Sequence, residues 1–286
     1  MRPELPFDLD DTIRRALAED LGEAGDLSTR AVVPDDARMH AEVVARDDGV
    51  VAGLPVAERV FGAVDRSIEV AWSTADGDRV AADGKLGGVR GPAGAILTAE
   101  RTALNFLTHL SGIATLTRRY VDACEGTSSR VLSTRKTLPG LRALERYAVA
   151  CGGGTLHRAG LYDGVLIKDN HVAVAGGVRE AVRRARAAAP HTVRVEVEVE
   201  TLDQVREALG AGADAVLLDN ADVETVKRAV DLVGERVPLE VSGGIDIDRV
   251  RELAGLGPLL ISVGRLTHSA PALDIALDVR TGRAGP

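Results

Sequence analysis

Two adjacent cations, Arg135 and Lys136, follow directly after the apolar run RVLST at residues 130–134, and Arg142 comes shortly after them. The chain as a whole is acidic, with 43 Asp and Glu against 35 Lys and Arg. Guanidinium and ammonium groups bind carboxylates and phosphates. The pattern therefore indicates an anion-binding group at the end of a strand, with a solvated basic surface as the alternative.

Three glutamates alternate with three valines in the segment VEVEVE at residues 195–200. In a strand, this alternation places the valines on one face and the glutamates on the other. At a sheet edge the carboxylates would simply be solvated. Inside a barrel they would need cations or hydrogen-bond donors, and Lys136 and Lys168 are the expected partners. We favour the inward-facing arrangement.

Six short apolar runs after residue 128 alternate with segments of helical periodicity, which predicts a parallel sheet. The regular spacing of the strands favours a barrel over a doubly wound sheet. Because only six strands are evident, we expect an incomplete (β/α) barrel. The predicted strands are RVLST (130–134), GVLIK (164–168), VRVEVEV (193–199), AVLLD (215–219), PLEVS (238–242) and LLISV (259–263).

Polar residues or glycines stand at the carboxyl end of every predicted strand, where barrel enzymes carry their active sites. This rim comprises Thr134, Arg135, Lys136, Lys168, Asp169, Asn170, His171, Glu198, Glu200, Asp219, Asn220, Ser242, Gly243, Gly244 and Gly264. His157 and Arg158 lie beside it, and we expect an active site there. The segments SGG and VGRLTHS, after the fifth and sixth strands, indicate a phosphate site because glycine turns expose backbone N–H groups.

The first hundred residues have the pattern of an α+β unit. Leu9, Ile13 and Leu17 have helical spacing, and a long helix is predicted over residues 98–124. IEVAW and GAILT are predicted strands. AEVVARDDGVVAG is a predicted hairpin that turns at Asp47, Asp48 and Gly49.

Composition excludes several classes of protein. A net charge of -8 argues against a non-specific nucleic-acid or membrane-surface binder. Two cysteines, Cys124 and Cys151, make neither a disulfide framework nor a CxxC metal site. No signal peptide and no apolar run of about 18 residues is evident, so we expect a cytoplasmic protein. GxSxG, Walker A and HExxH motifs are absent from the sequence.

Several ordered motifs resemble the quinolinate phosphoribosyltransferase family, over about residues 10–279. They are LTAERTALNFLTHLSGIAT (97–115), TRKTLPGLRALERYAV (134–149), GGG with HRAGLYDGVLIKDNH (157–171), VEVE, LLDN, SGGI and LTHSAPALDIALD (266–278). The resemblance implies an N-terminal open-faced α/β sandwich followed by an incomplete (β/α) barrel. We expect the domains to span 1–112 and 113–269, with segment 270–286 packing back on the first. It also implies a homodimer with a shared active site, and leaves higher assembly open.

The implied enzyme is a pentosyltransferase of NAD biosynthesis. It transfers the phosphoribosyl group of phosphoribosyl diphosphate to quinolinate, and it releases pyrophosphate and CO₂ to leave nicotinate mononucleotide. The expected cofactor is Mg²⁺, held indirectly by Glu198 and Asp219 through diphosphate and water. The expected partners are the two substrates, with no nucleic acid and no membrane.

The resemblance also implies roles for individual residues. Glu198, Asp219 and Lys136 match the catalytic positions, and the two acids match those near the ribose. The positions that match quinolinate ligands are Arg101, Arg135, His157, Arg158 and Lys168. The positions that match the 5′-phosphate pocket are Ser242, Gly243, Gly264 and His268.

The chain departs from the family pattern at three positions near these residues. The family usually has Asp at the position of Ser133, Asn at the position of Leu156 and Ala at the position of Arg265. Leu156 removes a polar group beside His157, and Ser133 removes a charge beside Arg135. These departures bear on fine specificity and not on the class of reaction.

Two other functions are compatible with parts of the pattern. A phosphoribosyltransferase-like protein of molybdenum-transport operons shares TRKT and HR, but the segment Lys168, Asp169, Asn170 and His171 favours the quinolinate enzyme. A non-catalytic barrel that senses a phosphorylated metabolite is the second alternative. Glu198 and Asp219 argue against it, because a phosphate sensor needs no acids.

Overall fold

The structure is a computed structural model, and it describes residues 5 and 8–279. Within that part the chain forms two compact units. The first unit takes in the described residues up to Leu116, Ala143–Gly153 and the described residues from Ala270 onward, and the second takes in Thr117–Arg142 and Gly154–Ser269. None of the described helices is long and apolar enough to cross a bilayer.

The strands are β1 (Arg38–Ala45), β2 (Gly49–Val50), β3 (Glu69–Trp72), β4 (Arg79–Val80), β5 (Lys85–Pro92), β6 (Arg130–Leu132), β7 (Val165–Ile167), β8 (Val195–Val199), β9 (Ala215–Asp219), β10 (Leu239–Ser242), β11 (Leu260–Ser262) and β12 (Ile275–Val279). The helices are α1 (Leu9–Leu21), α2 (Leu27–Val32), α3 (Leu54–Val64), α4 (Ala93–Asp122), α5 (Arg142–Cys151), α6 (Asp169–Ala175), α7 (Val178–Ala188), α8 (Leu202–Gly210), α9 (Val223–Val233), α10 (Ile247–Ala254) and α11 (Arg265–His268).

The first unit contains an antiparallel sheet with the strand order β12-β1-β5-β3. Ala41 of β1 pairs with Val279 on one side and with Val89 on the other. The pairing of β12 with β1 brings the chain back to this sheet near its end, whereas residues 280–286 of the predicted C-terminal segment lie outside the described residues. Helix α1 buries the residues of its predicted apolar stripe, which confirms that helix.

The predicted hairpin around Asp47, Asp48 and Gly49 is wrong. Both edges of β1 are already paired, with β5 and β12, so β2 pairs with β4 instead. Strand β2 is short and is soon followed by a turn at Gly53. This residue adopts φ 103°, in the left-handed region that favours glycine, and α3 begins directly after it.

The predicted strand GAILT is also wrong, since these residues lie in the first turns of α4. Ile96 and Ala99 are both fully buried, with the spacing of one helical face. A short apolar run fits a strand or a buried helix equally well, so its local pattern did not decide between them. Strand β3 confirms the prediction for IEVAW.

The second unit contains a parallel sheet with the strand order β6-β11-β10-β9-β8-β7. All six predicted strands are present in it, which confirms the expected α/β architecture with an incomplete barrel. Strand β8 lies between β7 and β9 and is therefore not an edge. Its three valines are buried, so the predicted inward-facing arrangement of Glu196 and Glu198 is confirmed.

Side-chain caps begin the helices that follow β8, β9 and β10. Thr201 accepts a hydrogen bond from the backbone N–H of Gln204, Asp222 accepts one from that of Thr225, and Asp246 accepts one from that of Arg249. Such caps satisfy N–H groups that have no partner within the helix. Each cap follows closely after a strand end, so it also fixes the loop that carries the rim residues.

Candidate active site

A pocket of about 740 Å³ lies at the carboxyl ends of the parallel strands. Eleven of the twelve predicted site residues line it: Arg135, Lys136, His157, Arg158, Lys168, Glu198, Asp219, Ser242, Gly243, Gly264 and His268. The twelfth, Arg101, is an exposed residue of α4 in the first unit and is not among the described residues that line this pocket.

Glu198 is held by a lysine. Its Oε2 lies 2.5 Å from Nζ of Lys168, which comes directly after the neighbouring strand β7. The side chain of Glu198 is mostly buried, so the pair places a fixed carboxylate on the pocket wall. Lys136, the other expected partner, forms no ion pair with Glu196, Glu198 or Glu200 within the described residues.

Asp219 is held by two donors at the end of β9. The Ser242 hydroxyl donates to its Oδ1, and the Asn220 amide donates to its Oδ2 at 2.7 Å. Ser242 lies opposite Asp219 in the parallel register of β9 and β10. Asn220 adopts φ 52°, a left-handed conformation that Asn tolerates better than most residues. These contacts fix the direction of the carboxylate.

A mostly buried cluster surrounds His157, which lines the pocket. Its Nε2 lies 3.4 Å from Glu196 and 3.3 Å from Glu240, and Ser262 donates a hydrogen bond to Glu240. One ligand atom from each of His157, Glu196 and Glu240 lies within 4.8 Å of the others. This grouping would also suit a cation, but a protonated imidazole already supplies the positive charge.

The carboxylates of Glu196 and Glu240, which accept hydrogen bonds from the imidazole, raise the pKa of His157 to about 9. The backbone N–H of Arg158, 2.6 Å from Nδ1, opposes a proton on that nitrogen. The two carboxylates raise the pKa of His157 in spite of this contact, and the imidazolium that forms at neutral pH must turn its Nδ1–H away from the Arg158 N–H. Burial raises the pKa of Glu240, and the charge of Glu196 adds to that effect.

Arg158 is positioned by a tight loop over residues 158–164. Its Nη1 donates to the carbonyl oxygen of Gly164 at 2.9 Å. The Asp163 carboxylate accepts from the backbone N–H groups of Ala159 at 2.7 Å and Gly160 at 2.9 Å, which closes the loop. Burial and the charge of Arg135 both lower the pKa of Arg158, so the two guanidinium groups are close enough to interact.

Arg135 carries a buried Nε that has no hydrogen-bond partner among the described residues. A buried donor without a partner is costly, and a bound anion would relieve that cost. The same anion would offset the repulsion between Arg135 and Arg158. This part of the pocket is therefore suited to a carboxylate ligand.

A second part of the pocket is built around Gly264. A Cβ at this position would lie 2.9 Å from Cδ of Lys136 and 3.3 Å from Nε2 of His268. Lys136 itself is held from α11, since the Thr267 hydroxyl donates to its carbonyl oxygen at 2.6 Å. A lysine and a histidine thus converge on a glycine, which suits a phosphate.

Some predicted rim residues do not line the pocket. Asp169, Asn170 and His171 are exposed in the first turn of α6, where His171 accepts from the backbone N–H of Lys168 at 2.9 Å. Glu200 is exposed beyond the end of β8. These residues shape the loops next to the pocket and do not form its wall.

The three departures from the family pattern have distinct positions. Ser133 is fully buried, and its hydroxyl accepts from the backbone N–H of His157 at 3.2 Å. Leu156 is 40% exposed. Arg265 lines the pocket next to Gly264 and adds a cation there.

Sequence reasoning missed Glu240 and Ser262, which both line the pocket. A signal for Glu240 was present, because it stands alone between Leu239 and Val241, two apolar residues of one strand. This is the same alternation as in β8, with a single carboxylate instead of three. Ser262 carried no comparable signal.

Comparisons with known proteins agree with this geometry. Residues 26–111 match the family model described as the N-terminal domain of quinolinate phosphoribosyl transferase, and residues 113–278 match that of the C-terminal domain. The chain is 47% identical over 276 residues to the nicotinate-nucleotide pyrophosphorylase [carboxylating] of Mycobacterium leprae (strain TN), covering 94% of this chain and 96% of that protein.

Two further relatives extend the likeness to a plant protein and to a solved structure. The chloroplastic nicotinate-nucleotide pyrophosphorylase [carboxylating] of Arabidopsis thaliana is 41% identical over 293 residues, covering 96% of this chain and 84% of that protein. The structure of the nicotinate-nucleotide pyrophosphorylase from Francisella tularensis is similar with a TM-score of 0.93 and 38% identity, covering 98% of this chain and 99% of that one. The chain belongs to the quinolinate phosphoribosyl transferase family.

Proposed function

We propose that the chain transfers the phosphoribosyl group of phosphoribosyl diphosphate to quinolinate with loss of CO₂, giving nicotinate mononucleotide and pyrophosphate. One observation carries the proposal: a single pocket contains three features. They are a cationic side with Arg135 and Arg158, the two oriented carboxylates of Glu198 and Asp219, and a phosphate end around Gly264. The names of the matched relatives support the same reaction.

The cationic side suits the two adjacent carboxylates of quinolinate. Arg135 and Arg158 are close, half-buried and suited to bidentate contact with a carboxylate. Lys168 and His157 also line the pocket, and each is already paired with glutamate carboxylates. A ligand with one carboxylate would leave part of this charge without a counter-ion, which is costly in a partly buried site.

Glu198 and Asp219 suit the sugar. When pyrophosphate leaves, the anomeric carbon becomes cation-like, and nearby carboxylates stabilise that charge. Lys168 orients the first carboxylate, while Ser242 and Asn220 orient the second. Because both are fixed before the substrate binds, little reorganisation is needed in the transition state.

The phosphate end, formed by Ser242, Gly243, Gly264 and His268, suits the 5′-phosphate. Lys136 lies against Gly264 and reaches the same volume, so we assign it to the phosphoribosyl substrate.

Decarboxylation needs no organic cofactor in this scheme. After transfer, the ring nitrogen carries the ribose and is positively charged. The bond to the leaving carboxylate breaks, CO₂ departs, and the electron pair stays on the ring carbon, where the adjacent positive nitrogen stabilises it until a proton replaces the carboxylate. The cations then hold the remaining carboxylate.

Mg²⁺ fits the site as a companion of the diphosphate. Glu198 and Asp219 offer the hard oxygen ligands that it prefers. Each is already engaged by protein donors, which favours indirect contact through water and diphosphate over direct ligation. Bound Mg²⁺ would offset charge on the diphosphate leaving group.

Three finer assignments are also proposals. We propose domains at 1–112 and 113–269. The two matched family regions support this boundary, whereas Ala143–Gly153 belongs to the first compact unit. We propose a homodimer in which Arg101 reaches the partner's pocket. We also propose a cytoplasmic location, although a plant relative is named as chloroplastic.

The test is direct formation of product. The purified protein is incubated with quinolinate, phosphoribosyl diphosphate and Mg²⁺, and nicotinate mononucleotide is separated and quantified. We expect turnover by the wild type and a large loss in Asp219→Asn. Tight binding of phosphoribosyl diphosphate without turnover would instead identify a metabolite sensor.

A further inference from the structure

Arg142 is the third cation of the segment that carries Arg135 and Lys136, and the proposed reaction does not use it. It does not line the pocket, although it follows Arg135 and Lys136 in the same segment. Its Nε donates to the hydroxyl of Thr137 at 3.1 Å, and its Nη1 donates to the carbonyl oxygen of Ala159 at 3.3 Å. One guanidinium thus joins the loop after β6 to the loop that begins at Arg158.

These two loops carry the two arginines of the cationic side. Thr137 also donates its backbone N–H to the carbonyl oxygen of Arg135 at 3.0 Å, so its position is coupled directly to that residue. Ala159 follows Arg158, and its own N–H is held by Asp163. Arg142 therefore bonds to Thr137, which lies two residues after Arg135, and to Ala159, which directly follows Arg158.

Lys136 has a different anchor. Its carbonyl oxygen accepts from the hydroxyl of Thr267, which is buried in α11 at only 3% exposure. The same hydroxyl lies 3.2 Å from the carbonyl oxygen of Gly264, the glycine of the phosphate end. Thr267 thus connects Lys136 to the phosphate end, and within the described residues it forms no hydrogen bond to Arg135 or Arg158.

We propose that Arg142 and Thr267 are two separate positioning residues, one for each substrate. Arg142 holds Arg135 and Arg158 at the spacing that quinolinate requires. Thr267 holds Lys136 at the phosphate end, for the phosphoribosyl substrate. This inference rests on the proposed function, because it assigns each anchor to one of its two substrates.

The experiment measures the dissociation constants of quinolinate and of phosphoribosyl diphosphate separately, by calorimetry, together with steady-state KM and kcat. Arg142→Ala should weaken quinolinate binding about tenfold and change phosphoribosyl diphosphate binding less than about twofold. Thr267→Val should show the reverse pattern. Both effects should fall mainly on KM, since neither residue touches the reacting atoms.

Conservative variants separate positioning from folding. Thr267→Ser keeps the hydroxyl and should restore most of the binding. Arg142→Lys keeps the charge but has a single ammonium nitrogen in place of the guanidinium group, so it should restore little of the quinolinate binding. If Arg142→Ala fails to fold, Thr137→Val removes one of the two bonds and should weaken quinolinate binding alone. Arg228→Ala, at an exposed position on α9, is the matched control and should change neither constant.

Two results would overturn the inference. Equal weakening of both substrates in each variant would show a general structural role, and unchanged constants would show that the anchors are dispensable. Failure of the wild type to bind quinolinate would instead overturn the proposed function, which keeps the two conclusions distinguishable.

Discussion

Nε2 of His157 lies 3.3 Å from a carboxylate oxygen of Glu240, a side chain only 3% exposed on strand β10. Glu196 faces the same nitrogen from strand β8. Ser262 and the backbone of Arg158 complete the polar surroundings. The two acids thereby stabilise the positive charge of this histidine, which lines the pocket beside Arg158.

This arrangement predicts a pH dependence of stability. The pKa of His157 is raised to about 9 in the folded protein from an unfolded value of 6.5. Its contribution is thus fully present below pH 6.5 and is lost as the pH rises through 9, with a magnitude of about 3 kcal/mol. The free energy of unfolding, measured by urea titration for the wild type and for His157→Gln, should differ most at and below pH 6.5, and the difference should shrink as the pH rises through 9. A difference that stays constant up to pH 9.5 would contradict this account.

Removal of Arg158 should abolish activity and leave the fold intact. Loss of a paired charge contact to a carboxylate costs on the order of 2–5 kcal/mol, so kcat/KM for quinolinate should fall by roughly 1.5 to 3.5 orders of magnitude in Arg158→Ala. Arg228→Ala is the control. Near-wild-type kcat/KM with an unchanged melting curve would show that Arg158 does not bind the substrate.

Two glycines of the phosphate end should respond differently to alanine. Gly264 has ordinary helical backbone angles, and in Gly264→Ala the new Cβ would lie 2.9 Å from the flexible side chain of Lys136. The variant should therefore bind phosphoribosyl diphosphate more weakly and keep the melting temperature of the wild type. Gly243 has φ 93°, and its Cβ would lie 2.8 Å from the backbone nitrogen of Asn220. Gly243→Ala should therefore lower the melting temperature as well. Equal melting temperatures for the two variants would contradict this contrast.

A shared active site predicts complementation between two inactive variants. Arg101→Ala and Lys168→Ala homodimers should each be inactive. After they are unfolded and refolded together, half of the dimers should be mixed, and each mixed dimer should hold one site without a lesion. Activity should return to roughly a quarter of that of the wild type for random pairing in a two-fold dimer. No recovery, in a sample shown to contain mixed dimers, would place Arg101 in its own subunit's site.

Local patterns predicted the parts of the fold that local physics determines. The alternation in β8 placed Glu196 and Glu198 inside correctly, because side chains in a strand alternate without regard to distant residues. The hairpin at Asp47 and Asp48 failed because the pairing of β1 is set by β5 and β12, which are remote in sequence.

The same distinction applies to the site. Residues at the carboxyl ends of strands could be predicted, because parallel strands bring those ends together. The contacts of Glu240 with His157, and of Arg142 with Ala159, join separate segments and have no sequence periodicity. They became evident only when the segments were placed in space.

The most direct test of the central claim is the stoichiometry of the reaction with two competing acceptors. With quinolinate labelled at the carboxylate that is lost, we expect one CO₂ and one pyrophosphate for each nicotinate mononucleotide, and no CO₂ without phosphoribosyl diphosphate. Nicotinate, which has a single carboxylate, should give no comparable turnover. Comparable turnover of nicotinate, or release of CO₂ without phosphoribosyl diphosphate, would contradict the account.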